Sequence, residues 1–231
     1  MSRSIFVLVI VFLNLVTRTV YANDPPDSAA NSGASQGSFL LHEDLPDETS
    51  RQLGMARQSF LTVDLGAAAE RLRKAAAHLR MTSTQADDAT KPRLDHSAGE
   101  LESLADQVAK GKVQSVHELD RPSARALQRL SHHHYLMAQR LWLQKRTARS
   151  GKQLRAAADN LEHAARLSGQ EVQAATRTVV ADARLISGKL VEGVGYGVDE
   201  VGKGFESLGK QVESVGNGME SAQKDAVIRR K

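Results

Sequence analysis

No cysteine occurs in the 231 residues. That absence excludes disulfides, a lipidated lipoprotein cysteine, thiolate zinc sites and cysteine nucleophiles together, and it leaves stability to packing. Aromatic residues are scarce, at 4% with a single Trp, which argues against a β-sandwich built on aromatic and β-branched strands. Neither charge sign dominates, with 31 Lys and Arg against 27 Asp and Glu, so net charge names no partner. The longest apolar run, positions 5–16, is interrupted by Asn14 and falls short of the ~20 residues that cross a bilayer.

That run has the flanks of a secretory signal: Arg3 before it, and Val20 and Ala22 as small residues after it. The pattern predicts cleavage after Ala22 and a periplasmic or secreted protein starting at Asn23. Positions 23–50 carry Asp24, Asp27, Glu43, Asp44, Asp47 and Glu48 with no base, among prolines and a Ser/Gly/Asn cluster. This composition predicts an acidic disordered linker.

Positions 51–187 are read as one helical domain. Leu53, Ala56, Phe60 and Leu61, then Leu72, Ala75, Ala76 and Leu79, recur at the three-and-four spacing of helices that bury one face. Asp64 caps the second of these. A polar loop is expected over 82–94, with a capping box at Ser97 and Glu100 opening the next helix and Gly111 ending it. Pro122 is placed at the start of a helix reaching Ser150 and Gly151. Further helices are expected over 152–167 and 170–186. The predicted fold is all-α, a helical bundle of antiparallel hairpins with a Gly-rich heptad amphipathic helix at its C-terminus.

An ungapped internal match sets Ala56 on Ala138, Leu61 on Leu143, Leu72 on Leu154, Arg73 on Arg155, and Ala75, Ala76 and Leu79 on Ala157, Ala158 and Leu161. Phe60 meets Trp142. A duplicated hairpin and the chance alignment of two Ala-rich helices both account for it. With Ala56-Arg57, Phe60-Leu61, Asp64, Leu72 and Ala75, the hairpin resembles the repeat unit of YfdX-type periplasmic helical proteins and, more loosely, a tetratricopeptide hairpin. It departs from them in having Val63-Asp64 where Gly-Asp is expected. The resemblance implies a small, non-enzymatic envelope protein of chaperone-like or stress-related role.

Positions 188–226 follow a seven-residue cycle. Val191, Val198, Phe205, Val212 and Met219 fill one apolar position, and Val194, Val201, Leu208 and Val215 the other. This is a coiled-coil type of seam. Gly188, Gly195, Gly202, Gly209 and Gly216 recur just after the second position, and Gly197, Gly204 and Gly218 fall just before the first, so glycine flanks the seam on both sides, where a larger side chain would hold a neighbour away. Each interior Gly costs ~1 kcal/mol relative to Ala, so the helix is expected only when packed, on its own core or on a second copy. A basic tail closes the chain at 227–231.

Three clusters remain. Arg140, Lys145, Arg146, Arg149, Lys152 and Arg155 belong to a stripe from Arg121 that holds no acid; it reads as a solvated helix face or as an anion-binding surface. His132, His133 and His134 with Met137 supply imidazole and thioether, which suit copper, although three consecutive residues on a helix point in three directions. Gly33-Ala34-Ser35-Gln36-Gly37 has the spacing of a nucleophile elbow without a strand before it. No catalytic constellation and no cofactor are expected. The functional expectation is a binding or assembly module with a protein partner or self-association, the alternative a peripheral membrane or metal-handling protein; no nucleic-acid partner is expected, since no aromatic stacking set accompanies the bases.

Overall fold

The computed structural model describes residues 47–168 and 174–228; the segments expected to be a signal and, before position 47, a linker, and the last residues of the chain, lie outside them. Every described element is helical. Asp47 opens α1 (Glu48–Leu61) by accepting the Thr49 N–H at 3.0 Å, three residues before the linker was expected to end. Asp64 opens α2 (Leu65–Ser83) by accepting the Ala67 N–H at 3.0 Å. In both, a carboxylate satisfies an N–H that has no partner inside the helix.

The third helix, α3 (Lys91–Ala109), starts earlier than its expected cap. Asp87 accepts the Thr90 N–H at 2.9 Å, Pro92 fills the first turn where no N–H is needed, and Ser97 is buried inside the helix. The fourth, α4 (Val116–Leu143), also starts before its expected proline. Ser115 Oγ accepts from the Glu118 N–H and Glu118 Oε2 from the Gln114 N–H, so Pro122 lies within the helix. This Ser-x-x-Glu cap supplies what the proline was expected to supply.

After a short turn come α5 (Thr147–Leu167), α6 (Ala174–Glu192) and α7 (Val198–Ile228). Ser131 Oγ donates to the Ala157 carbonyl and Ser150 Oγ to the Ala138 carbonyl, so numbers rise along α4 as they fall along α5. The turns at 62–64 and 144–146 close with the same backbone bonds, a common helix ending that the turn at 110–112 also uses. Thr62, Val63 and Asp64 donate to the carbonyls of Gln58, Phe60 and Ser59, and Gln144, Lys145 and Arg146 donate to those of Arg140, Trp142 and Leu141. The aligned apolar residues share a fate as well: Leu72 and Leu154, Leu79 and Leu161 are fully buried, while Leu61 and Leu143 are exposed.

Two hydrophobic clusters meet along α4. Leu53, Leu72, Leu79, Leu94, Leu101 and Leu127 belong to the first, with α1–α3; Leu154, Leu161, Val180, Leu190, Phe205 and Leu208 belong to the second, with α5–α7. Each buried Leu contributes roughly 1.5–3 kcal/mol, and alanines between them let the helices approach. Arg57 Nε lies 3.0 and 3.1 Å from the two oxygens of the buried Asp120, tying α1 to the start of α4.

The helix expected over 188–226 is broken. Gly188 belongs to α6, and the chain reverses through Gly193 and Gly195, with φ of +72° and +69°, before α7 begins. Left-handed backbone is nearly free only for glycine, and the reversal lays the seam back on the chain itself. Val201, Phe205, Leu208, Val212 and Val215 are buried, Met219 packs against both clusters, and Val191, Val194 and Val198 are exposed.

Candidate functional site

Between α1 and α5 runs a groove of about 850 Å³. One wall is formed by Ser50, Arg51, Gly54, Met55 and Gln58 of α1, the other by Lys152, Arg155, Ala156, Asp159 and His163 of α5, with Arg184 reaching in from α6. Along α5 it extends from Lys152 to His163, about 16 Å at 1.5 Å per residue.

Its floor is polar. The Asp47 carboxylate accepts from the Thr49 N–H and, at 2.5 Å, from Asn160 Nδ2, and His134 Nε2 lies 3.6 Å away. Burial raises the pKa of Asp47, but His134, Asn160 and the Thr49 amide more than offset it and hold the carboxyl below its ordinary range. On its other side His134 Nδ1 meets Gln153 Oε1 at 2.7 Å. Asn160 is buried and its Oδ1 has no hydrogen-bond donor. Flipping the amide would only set that oxygen against the Asp47 carboxylate, so the want of a donor belongs to the site.

Ser50 Oγ and His163 Nδ1 sit 2.5 Å apart. Burial, and then Arg166, depress the His163 pKa. A neutral imidazole against a hydroxyl is half of a nucleophilic pair, but no carboxylate hydrogen bond orients the ring's other nitrogen among the described contacts, and the pair ties α1 to α5. On the rim, Arg184 holds Asp159 at 2.6 Å and Glu162 at 2.7 Å, Arg51 holds Glu48, and Arg155 approaches Asp159 only to 3.9 Å.

The basic stripe is divided by the fold. Arg125 and Arg129 turn to Glu100, at 3.0 and 3.6 Å, and Arg129 also donates to Ser97 Oγ. Arg140 lies 3.9 Å from Asp87. Lys152 and Arg155 line the groove, Lys145 and Arg146 form the α4–α5 turn, and Arg149 follows on α5. Alternation of helix faces and a turn separate residues that are neighbours in sequence.

The histidines diverge as three consecutive helical positions must. His133 is buried, its pKa pushed down to about 4 by desolvation and then by His134, whose ring lies 5.4 Å away. His132 faces a second cleft of about 370 Å³ with Arg93, Arg129, Glu213 and Glu220. Its pKa is lowered by burial and by Arg93. The Met137 sulfur faces Arg140 Nη1 at 3.9 Å. Among the described residues no group of three or more His, Cys, Asp or Glu side chains is placed to hold a metal ion.

The glycine row is likewise split. A methyl at Gly209 would strike the Tyr135 hydroxyl, and one at Gly216 would lie 2.6 Å from Gln128 Nε2, so α7 does approach α4 closely there. Gly188 and Gly202 face open space, and Gly195 serves the turn. On the seam's other flank Gly204 lies against Ile186, and one close contact was not expected at all, Gly151 against Ser187 and Leu190. Sequence reading took Gly151 for a helix end. The groove itself escaped it, because Asn160 and Asp47 are distant in the chain and each is ordinary in its own segment. No family model matches the chain, and no curated protein or solved structure matches it.

Proposed function

We propose that this chain is an exported, non-catalytic binding protein that takes an acidic peptide segment in the α1–α5 groove. It is a bundle of antiparallel helical hairpins, the hairpin used twice, with α7 as an internal clasp on α4 and α6. The matching burial of Leu72 with Leu154 and of Leu79 with Leu161 supports the duplication, and the burial of Val201, Phe205 and Leu208 in their own chain's core supports the clasp. Export rests on positions 1–22, and no described helix is long and apolar enough to cross a membrane.

The observation that carries the binding reading is the groove itself, a channel about 850 Å³ in volume whose rim holds Arg51, Lys152, Arg155 and Arg184. Acidic side chains complement a rim in which Arg155 is only loosely paired. The groove's length suits an extended segment of about five residues at ~3.3 Å each.

Gly54 provides the test. A Cβ there meets nothing within 4 Å, so the side chain of Gly54→Leu starts into open groove, and the change raises helix propensity by nearly 1 kcal/mol. The Gly54 amide resonance is expected to shift on adding a five-residue peptide bearing two glutamates and to stay put with the lysine counterpart. Gly54→Leu is expected to melt at higher temperature and to lose the peptide. Silence of the Gly54 resonance toward both peptides up to about 1 mM overturns the reading.

A further inference from the structure

The end of the bundle that carries the α4–α5 and α6–α7 turns is apolar at its centre. Leu143 is 79% exposed, Val194 61% and Val198 70%. The two turns are adjacent: the rings of Trp142 and Tyr196 meet edge to face with centroids 5.9 Å apart. Both turns close through left-handed residues, Lys145 on one and Gly193 and Gly195 on the other.

Charge on this end is sorted by turn. The α4–α5 turn presents Lys145 and Arg146, both exposed. The α6–α7 turn presents Glu192 and Asp199, also exposed, while the neighbouring Glu200 is held by Lys189 at 2.5 Å. An apolar strip flanked by a basic turn and an acidic turn is complementary to itself. Rotated by a two-fold axis, a second copy lays its acidic turn over Lys145 and Arg146 and its basic turn over Glu192 and Asp199. Leu143 then packs against Val194 and Val198 of that copy, and the side-by-side arrangement without rotation sets like charges together.

From this we infer that the α4–α5 and α6–α7 turns form a self-complementary docking surface for a second copy of this chain. The inference is independent of the groove reading, which uses another face. Two turns make a small contact beside the roughly 800 Å² per partner that a stable dimer buries, so weak, concentration-dependent association is expected, becoming strong only where copies are tethered or crowded.

Sedimentation of the full chain over about 10 µM to 1 mM tests this with two charge-swapped variants, Lys145→Glu with Arg146→Glu, and Glu192→Lys with Asp199→Lys. Wild type is expected to pass from monomer to dimer. Each variant alone is expected to associate at least tenfold more weakly, and their equimolar mixture to recover wild-type association, because both contacts of the mixed pair join opposite charges. Leu143→Asp with Val198→Asp, at positions too exposed to disturb folding, is expected to stay monomeric. A wild-type monomer at 1 mM, a mixture that fails to recover, or an apolar variant that still dimerises overturns the inference. So does a blue shift of Trp142 fluorescence on anionic vesicles by protein that remains monomeric in solution, which would assign the surface to a membrane.

Discussion

Val63 and Lys145 hold the same left-handed conformation, with φ of +62° and +63°, at equivalent points of two turns whose backbone hydrogen bonds coincide. In each turn the left-handed residue ends one helix, and the next amide reaches back to a carbonyl in the last turn, Ser59 or Leu141. Glycine is the residue such a position favours, and a β-branched one is its least suitable occupant.

Val63→Gly is therefore expected to stabilise the protein by about 1 kcal/mol, although it removes a side chain, since Val63 is 77% exposed and contributes little packing. Val63→Ala should recover only part of that gain. Urea denaturation of the three proteins gives the order; a Gly variant no more stable than wild type would show that the turn carries no strain.

Glycine substitutions on the helices separate propensity from packing. Gly202→Ala meets open space and should gain up to about 1 kcal/mol. At Gly151 the added methyl would lie 2.7 Å from the Ser187 carbonyl oxygen and 2.9 Å from Leu190 Cβ. Backbone cannot swing aside as a side chain does, so Gly151→Ala should lose about 1–3 kcal/mol by prising α6 from α5. Thermal melts of the two variants should move in opposite directions. A Gly151→Ala melt at or above wild type would mean that α5 and α6 are not so close.

Acid should destabilise the fold well before its carboxylates protonate. The buried His133 has its pKa pushed from 6.5 to about 4, so between those values the unfolded chain takes a proton that the folded one refuses. Stability is intact above about pH 6.5, falls as pH drops to about 4, and loses about 3 kcal/mol from this residue in all. His132 and His163, lowered in the same direction, add to the slope, whereas Asp47, whose pKa is lowered, acts only at still lower pH. Unfolding free energies at pH 7.5, 5.5 and 4.5 should show the decline, and His133→Gln should flatten it; an unchanged slope in that variant would place the titration elsewhere.

The sequence by itself determined the helical class, the buried faces of α1 and α2 at Leu53, Ala56, Leu72, Ala75, Ala76 and Leu79, the Asp64 cap, and the α7 seam from Val201 to Val215, because three-and-four spacing and capping chemistry act within a few residues. It also carried the match between Ala56 to Leu79 and Ala138 to Leu161. Only the tertiary structure decided that the glycine-rich run is two helices rather than one, that Gly151 admits a close neighbour while Gly188 and Gly202 face open space, and that Asp47 meets Asn160 and His134 on a groove floor. The reason is reach: spacing tells which face of a helix is buried, while what lies against that face depends on how the chain turns back at 144–146 and 193–197, and there a backbone angle outweighs the periodicity on either side.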